Sequence, residues 1–195
     1  MEYLEENLDE WLGQELEPYG DDDYLIFDCP GQIELYSHLS VFRTFVNFLR
    51  QNGWQMVAVH CLDSQFADEV PKYIAGCLTA LSAMVQLELP HVNVMTKMDI
   101  CKSSEEIEEN FLFPDGIELQ RSLDRRTGPQ FFALNSAVAQ LLDDYSMIAF
   151  VPLDISSEDS ITTCLLQVDG AMQYGEDQDV HIQEFGDFPD LEPVV

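Results

Sequence analysis

Four short, mostly apolar runs at residues 24–27, 56–62, 92–95 and 148–151 alternate with longer stretches whose apolar residues recur at helical spacing. Continuous apolar runs of this length mark strands buried on both faces, because neither side of such a strand is left to water. Between them, Ile33, Leu35, Leu39, Phe42, Phe45, Val46 and Leu49 make one helical face closed by Gly53, and Tyr73, Cys77, Leu78, Leu81, Val85 and Leu87 populate another. Strand and helix in regular alternation predict an α/β fold: a mostly parallel sheet with right-handed crossovers and helices on both faces. Sheets of that kind bind ligands at the carboxyl ends of their strands.

The ends of the chain read differently. Tyr3, Leu4, Leu8, Trp11, Leu12 and Leu16 fall near one stripe, which predicts an amphipathic helix stopping before Pro18 and Gly20. After Asp99 the pattern loosens into a helical insertion: a short acidic helix at 104–112, a turn at 113–116 and a longer helix at 130–144. The last strand and a final helix at 158–174 follow. Residues 1–174 therefore read as one domain, since 195 residues bury one ordinary core. Residues 175–195 carry seven acids, two prolines and no Lys or Arg, and are expected to be a mobile tail.

Charge narrows the partners. With 37 acids against 8 Lys plus Arg the formal net charge is −29, a surface that repels nucleic-acid backbones and anionic membrane faces and favours basic partner patches. Neither nucleic acid nor membrane is expected as a direct ligand; the N-terminus lacks a secretory pattern, and no apolar run approaches the ~18 residues of a span. Five scattered cysteines without a C-x-x-C pair fit a reducing, intracellular compartment. His38, His60, His91 and His181 show no ligand spacing with them.

Two motifs sit where strands are expected to end. Asp28 and Gly31 have D-x-x-G spacing: the acid is placed to hold Mg²⁺, and the glycine lets a backbone N–H approach a terminal phosphate that a side chain would block. Gln32 is placed to orient an attacking water, and Glu34 is a further polar group in reach. The plain alternative is a strand-end turn. Further on, Thr96, Lys97, Met98 and Asp99 follow the third apolar run. There a carboxylate can accept two hydrogens from the guanine edge, which adenine cannot donate, while the lysine stem lies along the base. A solvated strand-to-helix turn is the alternative; both motifs in this order, each after a buried run, favour the nucleotide reading.

The segments D-C-P-G-Q-I-E-L, L-D-S-Q-F, L-S-A-M, V-N-V-M-T-K-M-D, D-D-Y-S-M and Q-Y-G-E-D resemble the GPN-loop GTPases over nearly the whole chain, fading in residues 102–127 and in the tail. The resemblance implies a P-loop NTPase-type domain that binds GTP/GDP with Mg²⁺ and hydrolyses GTP. Asp28 would be on the metal, Gly31, Thr96, Lys97, Met98 and Asp99 on the nucleotide, and Gln32 and Glu34 would be the water-positioning pair. A base-contacting loop falls near residues 152–156. It also implies dimerisation with a sister GPN-loop GTPase or with itself, a role with RNA polymerase II or its assembly factors in assembly and nuclear import, and a cytoplasmic protein that shuttles to the nucleus.

The sequence departs from that family in one respect. Neither the G-x-x-G-x-G-K-[ST] phosphate loop nor the Gly-Pro-Asn loop occurs in the 195 residues, and M-E-Y-L resembles an internal stretch of the family. The expectation is an N-terminally truncated domain, missing two βα units, incomplete in its sheet and deficient in GTP binding on its own. A nucleotide-independent interaction module, or a gene model started at an internal methionine, are the rival readings. Asp63, Ser64 and Gln65 follow a strand and either contact a switch or partner or cap a helix.

Overall fold

The computed structural model describes residues 2–20, 23–32, 41–101, 111–112, 115–145 and 148–174, with side chains from residue 7 onward except residue 9. Among these, three parallel strands form one sheet in the order β1 (Ala58–Asp63), β2 (His91–Thr96), β3 (Phe150–Pro152). Six α-helices are described: α1 (Glu2–Leu16), α2 (Val41–Gln51), α3 (Val70–Leu87), α4 (Gly116–Arg126), α5 (Phe132–Asp144) and α6 (Glu158–Met172). The architecture is α/β with helices on both faces of a parallel sheet, as the alternation predicted.

Register and the two-residue period of strands assign the faces. Leu62 pairs with Met95 and Asn93 with Phe150. Leu62, Met95 and Phe150 pack with Tyr73, Cys77 and Leu81 of α3, Leu119 and Leu123 of α4 and Leu142 of α5 in the main core. Val92 and Val94, on the other face, pack with Val168 of α6. Tyr73 is fully buried and satisfies its hydroxyl by donating to the Phe111 carbonyl at 2.6 Å, as a buried phenol must. Helix α3 is 18 residues long with a mean hydropathy of 1.2, long and apolar enough to cross a membrane by length and composition alone, although the sequence showed no unbroken apolar run of that length. Tyr73, Ile74, Cys77 and Leu81 are buried in the core, whereas Val85 is exposed.

A smaller cluster joins Leu8, Leu12 and Leu16 of α1 to Leu49 of α2, with Trp54 packed beside them. The end of α2 shows why Gly53 closes it. Gly53 takes φ +83, its N–H donates to the Arg50 carbonyl at 3.2 Å, and Trp54 N–H donates to the Leu49 carbonyl at 3.1 Å. This is a Schellman end, and Leu49 and Trp54 share a cluster as that motif requires. Trp11, expected on the buried stripe of α1, is instead about half exposed.

Two further expectations fail. Residues 24–27 are not a strand: they run extended, with no backbone hydrogen bond to any described strand, and Ile26 is 85% exposed. Side chains hold the segment instead. Phe27 meets Phe45 edge-on at 5.2 Å, Leu25 joins the α1–α2 cluster, and the Tyr24 hydroxyl donates to Asp169 of α6 at 3.3 Å. Apolar content alone does not make a strand; backbone donors and acceptors need a partner ladder. Likewise β1 is not buried on both faces, because α6 packs on β2 and β3 and leaves Val59 and Cys61 open. Helix α4 lies within the expected helical insertion, after the expected turn at 113–116, in a stretch to which the sequence reading gave no element of its own. Its signals were present: Asp115 caps Ile117 and Glu118 N–H, Leu119 and Leu123 repeat at i, i+4, and Arg125 and Arg126 close the last turn. The acidic helix expected at 104–112, apart from Phe111 and Leu112, and the tail lie outside the described residues.

Candidate nucleotide site at the strand ends

The carboxyl ends of the three strands are tied to one another. Thr96, the last residue of β2, donates through Oγ1 to the Leu62 carbonyl of β1 at 3.2 Å. On the other side, Met98 N–H donates to the Leu153 carbonyl at 3.2 Å, and Leu153 N–H donates to the Met95 carbonyl at 2.8 Å, extending the β2–β3 ladder past β3. Lys97 sits between these ties in the left-handed region, φ 62 and ψ 34, and starts a short 3₁₀ turn, Met98–Ile100. A β-carbon disfavours that conformation, so the surrounding bonds must hold it.

They do so from β1. Ser64, 1% exposed, donates through Oγ to the Lys97 carbonyl at 3.1 Å, and Asp63 receives the Lys97 ammonium on Oδ2 at 2.6 Å. The other oxygen of Asp63 accepts Gln65 N–H at 2.9 Å, capping the 3₁₀ helix Ser64–Asp68. The bond from Lys97 is the main cause that lowers the Asp63 carboxyl below its ordinary pKa, against a burial penalty and with the Gln65 N–H adding to the lowering. Of the two readings of this D-S-Q segment, the helix cap is what Asp63 makes, and its other bond goes to Lys97 rather than to residues 28–32.

Met98 is buried and anchors the turn in the core, whereas Asp99 is exposed and makes no hydrogen bond or ion pair among the described residues. Beside the turn lies an open depression of about 350 Å³ lined by Met98, Pro152, Asp154, Ser157, Asp159, Ser160 and Thr163. The loop after β3 forms its wall. Ser160 Oγ donates to the Pro152 carbonyl at 3.1 Å and accepts Asp154 N–H at 2.9 Å, while Asp154 receives the Ser156 hydroxyl and N–H on one oxygen. Those Ser156 bonds lower the Asp154 carboxyl from its ordinary pKa. The expected base-contacting loop, residues 152–156, thus adjoins the Thr96–Asp99 turn, and Ser160 and Thr163 at the start of α6 are lining residues the sequence reading missed. Ser157, whose side chain caps α6 at Ser160 N–H, was the available signal for where that helix begins.

The first motif has no such frame. Asp28, Gly31 and Gln32 are exposed, lie on the unpaired segment rather than at a strand end, and make no hydrogen bond or ion pair with Thr96–Asp99 among the described residues. A Cβ added at Gly31 would meet nothing within 4 Å, so no close approach to protein explains that glycine. Glu34 lies outside the described residues. Asp28 offers a hard, unpaired carboxylate of the kind Mg²⁺ accepts when phosphate and water supply the rest of its shell, and no group of three or more metal-binding side chains occurs among the described residues. Cys29 beside it is no activated nucleophile: burial, with Asp28 adding, pushes its thiol up.

A family model described as a conserved hypothetical ATP binding protein matches residues 1–174. The chain is 46% identical over 190 residues to GPN-loop GTPase 3 of Mycosarcoma maydis, which takes in 92% of this chain and 67% of that relative. It is 48% identical over 179 residues to GPN-loop GTPase 3 of Dictyostelium discoideum, 91% of this chain and 62% of that one. For the protein of the same name from Schizosaccharomyces pombe the figures are 40% over 197 residues, 98% and 71%. The chain therefore spans about two thirds of the length of these curated relatives.

Proposed function

Because the chain belongs to the GPN-loop GTPase family, we propose that the Thr96–Asp99 turn is the base-reading part of a guanine-nucleotide site in a protein that hydrolyses GTP to GDP. What carries this reading is the exposed, unpaired Asp99 carboxylate, held next to a left-handed Lys97 by ties to β1 and β3. The family model's description speaks of ATP and the relatives' names of GTP. Asp99 favours guanine, because a carboxylate recognises two adjacent N–H donors that adenine lacks. Met98 supports the base plane from the core, and the loop at 152–156 closes the far side.

The phosphate end is assigned to the other motif: Asp28 to Mg²⁺, Gly31 N–H to the terminal phosphate, and Gln32 and Glu34 to orienting the water that attacks it. Bound Mg²⁺ would neutralise charge on the phosphate oxygens; the chain's own part is to place these groups. The 195 residues carry no phosphate-loop lysine or glycine-rich nest. Each charge-assisted hydrogen bond is worth roughly 1.5–3 kcal/mol, so several missing bonds amount to about the whole free energy of micromolar binding. We therefore assign these 195 residues on their own weak, base-driven binding.

Titration of the purified chain with GDP, XDP and ADP, followed by NMR, tests the reading. GDP should bind in the millimolar to high-micromolar range and ADP more weakly, with Asp99→Asn moving preference to XDP. Equal binding of GDP and ADP, or an unchanged preference in the variant, removes Asp99 from a base site; submicromolar GDP binding refutes the account of the phosphate end.

A second reading rests on a separate observation. The open face of β1, with Val59 and Cys61, and the exposed Ile26 offer apolar surface and a strand edge that is unpaired among the described residues, which a partner can cover. By the family resemblance that partner is a sister GPN-loop GTPase or a second copy, and the assembly serves RNA polymerase II or its assembly factors in nuclear import. Co-purification of the chain with a sister subunit, nucleotide-free and nucleotide-loaded, separates this module from the nucleotide reading.

A further inference from the structure

The side chains of the D-S pair that ends β1 both bond to one residue of the expected nucleotide turn, Lys97. Ser64 clamps the Lys97 carbonyl and Asp63 the Lys97 ammonium, at 3.1 and 2.6 Å. The two contacts fix opposite ends of one residue: the carbonyl bond sets its backbone torsions, the ammonium bond sets the direction of its side chain. Asp63 is itself fixed, because its second oxygen is spent on Gln65 N–H. The Lys97 side chain stays 57% exposed despite the ion pair, so its aliphatic stem is laid out in solvent. A flat ring can rest on such a stem.

We infer that Asp63 and Ser64 are positioning residues for base recognition, holding Lys97 so that its stem forms a platform and Asp99, two residues on, meets the edge of the ring. The inference rests on the guanine reading above and deepens it. Ser64 does this from a site sealed from water, where its hydroxyl has no solvent to turn to and the Lys97 carbonyl is its acceptor. Asp63 does it at a partly screened surface. Freed of the two, Lys97 relaxes toward right-handed torsions, the ammonium swings free, and the turn presents Asp99 in several directions. The loss is one of discrimination between bases rather than of folding.

The test uses the full 195-residue chain, isotope-labelled, as wild type, Asp63→Asn, Ser64→Ala, Lys97→Met and the double substitution Asp63→Asn with Lys97→Met. Without ligand, Asp63→Asn should speed proton exchange at the Lys97 ammonium, and Ser64→Ala should move the Lys97 backbone carbon shifts away from left-handed values. With GDP and ADP as probes, each of these single substitutions should cut the preference for GDP by about tenfold. Asp63→Asn should cost nothing further once Lys97→Met is in place. A merely structural role would weaken both nucleotides alike and would persist in the Lys97→Met background; either result overturns the inference. An intact preference for GDP with unmoved Lys97 signals overturns the brace alone. Lys97 signals that respond while the wild type never prefers GDP overturn the guanine reading, and the positioning role falls with it.

Discussion

The two sequence motifs of this chain are alike on paper and unlike in space. The Thr96–Asp99 turn is bonded on both sides, to Leu62 and Ser64 of the β1 end and to Leu153 beyond β3, and its Met98 is buried. Residues 24–32 carry an apolar run and a glycine at the expected spacing, yet no ladder holds them, and Ile26 stands almost fully in solvent. A loop motif is made functional by the strands that flank its element, not by its own residues. Where both neighbours are present the turn is held in one shape, and where they are not the same kind of sequence is only extended chain.

The sharpest way to break this contrast is to attack the frame on each side. Met95 is completely buried beneath the turn, so Met95→Ala should destabilise by about 2–5 kcal/mol, read by urea unfolding. Ile26→Ser, at an 85% exposed position, should fall within about 0.5 kcal/mol of wild type. Equal effects would mean that 24–32 is packed as firmly as the sheet. Gly76→Ala is the next largest: its Cβ would sit 2.8 Å from both Leu62 methyls, and Leu62 is 5% exposed, so the core must shift at a cost of about 1–3 kcal/mol. Because Leu62 also accepts from Thr96, that substitution should disturb the amide signals of the turn and spare those of residues 24–32.

Acid should find a different weak point. His91 lies against His60, rings 6.1 Å apart, and its two nitrogens have no partner among the described residues. Burial, with the His60 charge adding, lowers its pKa from 6.5 to about 4. The unfolded chain therefore binds the proton first, and stability present above about pH 6.5 is lost as pH falls toward 4. The upper bound for such a shift is about 3 kcal/mol, which partial exposure reduces. Unfolding midpoints from pH 8 to 4.5 should show this slope, and His91→Phe should flatten it; an unchanged slope assigns the acid sensitivity to other groups.

Much of the frame was legible because it is local. The runs at 56–62, 92–95 and 148–151 became β1, β2 and β3 within two residues, and Gly53 closed α2 as its position foretold. What was not legible depends on neighbours. Residues 24–27 have the composition of a buried strand, but no residue in a run states whether a partner lies beside it, and the same ignorance hid the open face of β1. Helix α4 escaped for the opposite reason, its two core leucines sitting among six charged or amide residues that mask the period. In the site, T-K-M-D was readable as a string. That Asp63 and Ser64, more than thirty residues earlier, hold it became visible only when register set Asp63 opposite Thr96.

The smallest effect expected here is also the one that separates the motifs most cleanly. Asp28→Asn removes a carboxylate that is exposed and unpaired among the described residues, so unfolding should move by less than about 0.5 kcal/mol. Binding of GDP to this chain should be nearly unchanged without Mg²⁺, since base contacts carry it, while any strengthening by added Mg²⁺ should disappear. Asp99→Asn, equally exposed, should leave unfolding just as untouched but redirect the base preference whether or not Mg²⁺ is present. If Asp28→Asn alters base preference instead, the two motifs are not the phosphate end and the base end of one site. Residues 24–32 would then have to lie against the turn rather than apart from it.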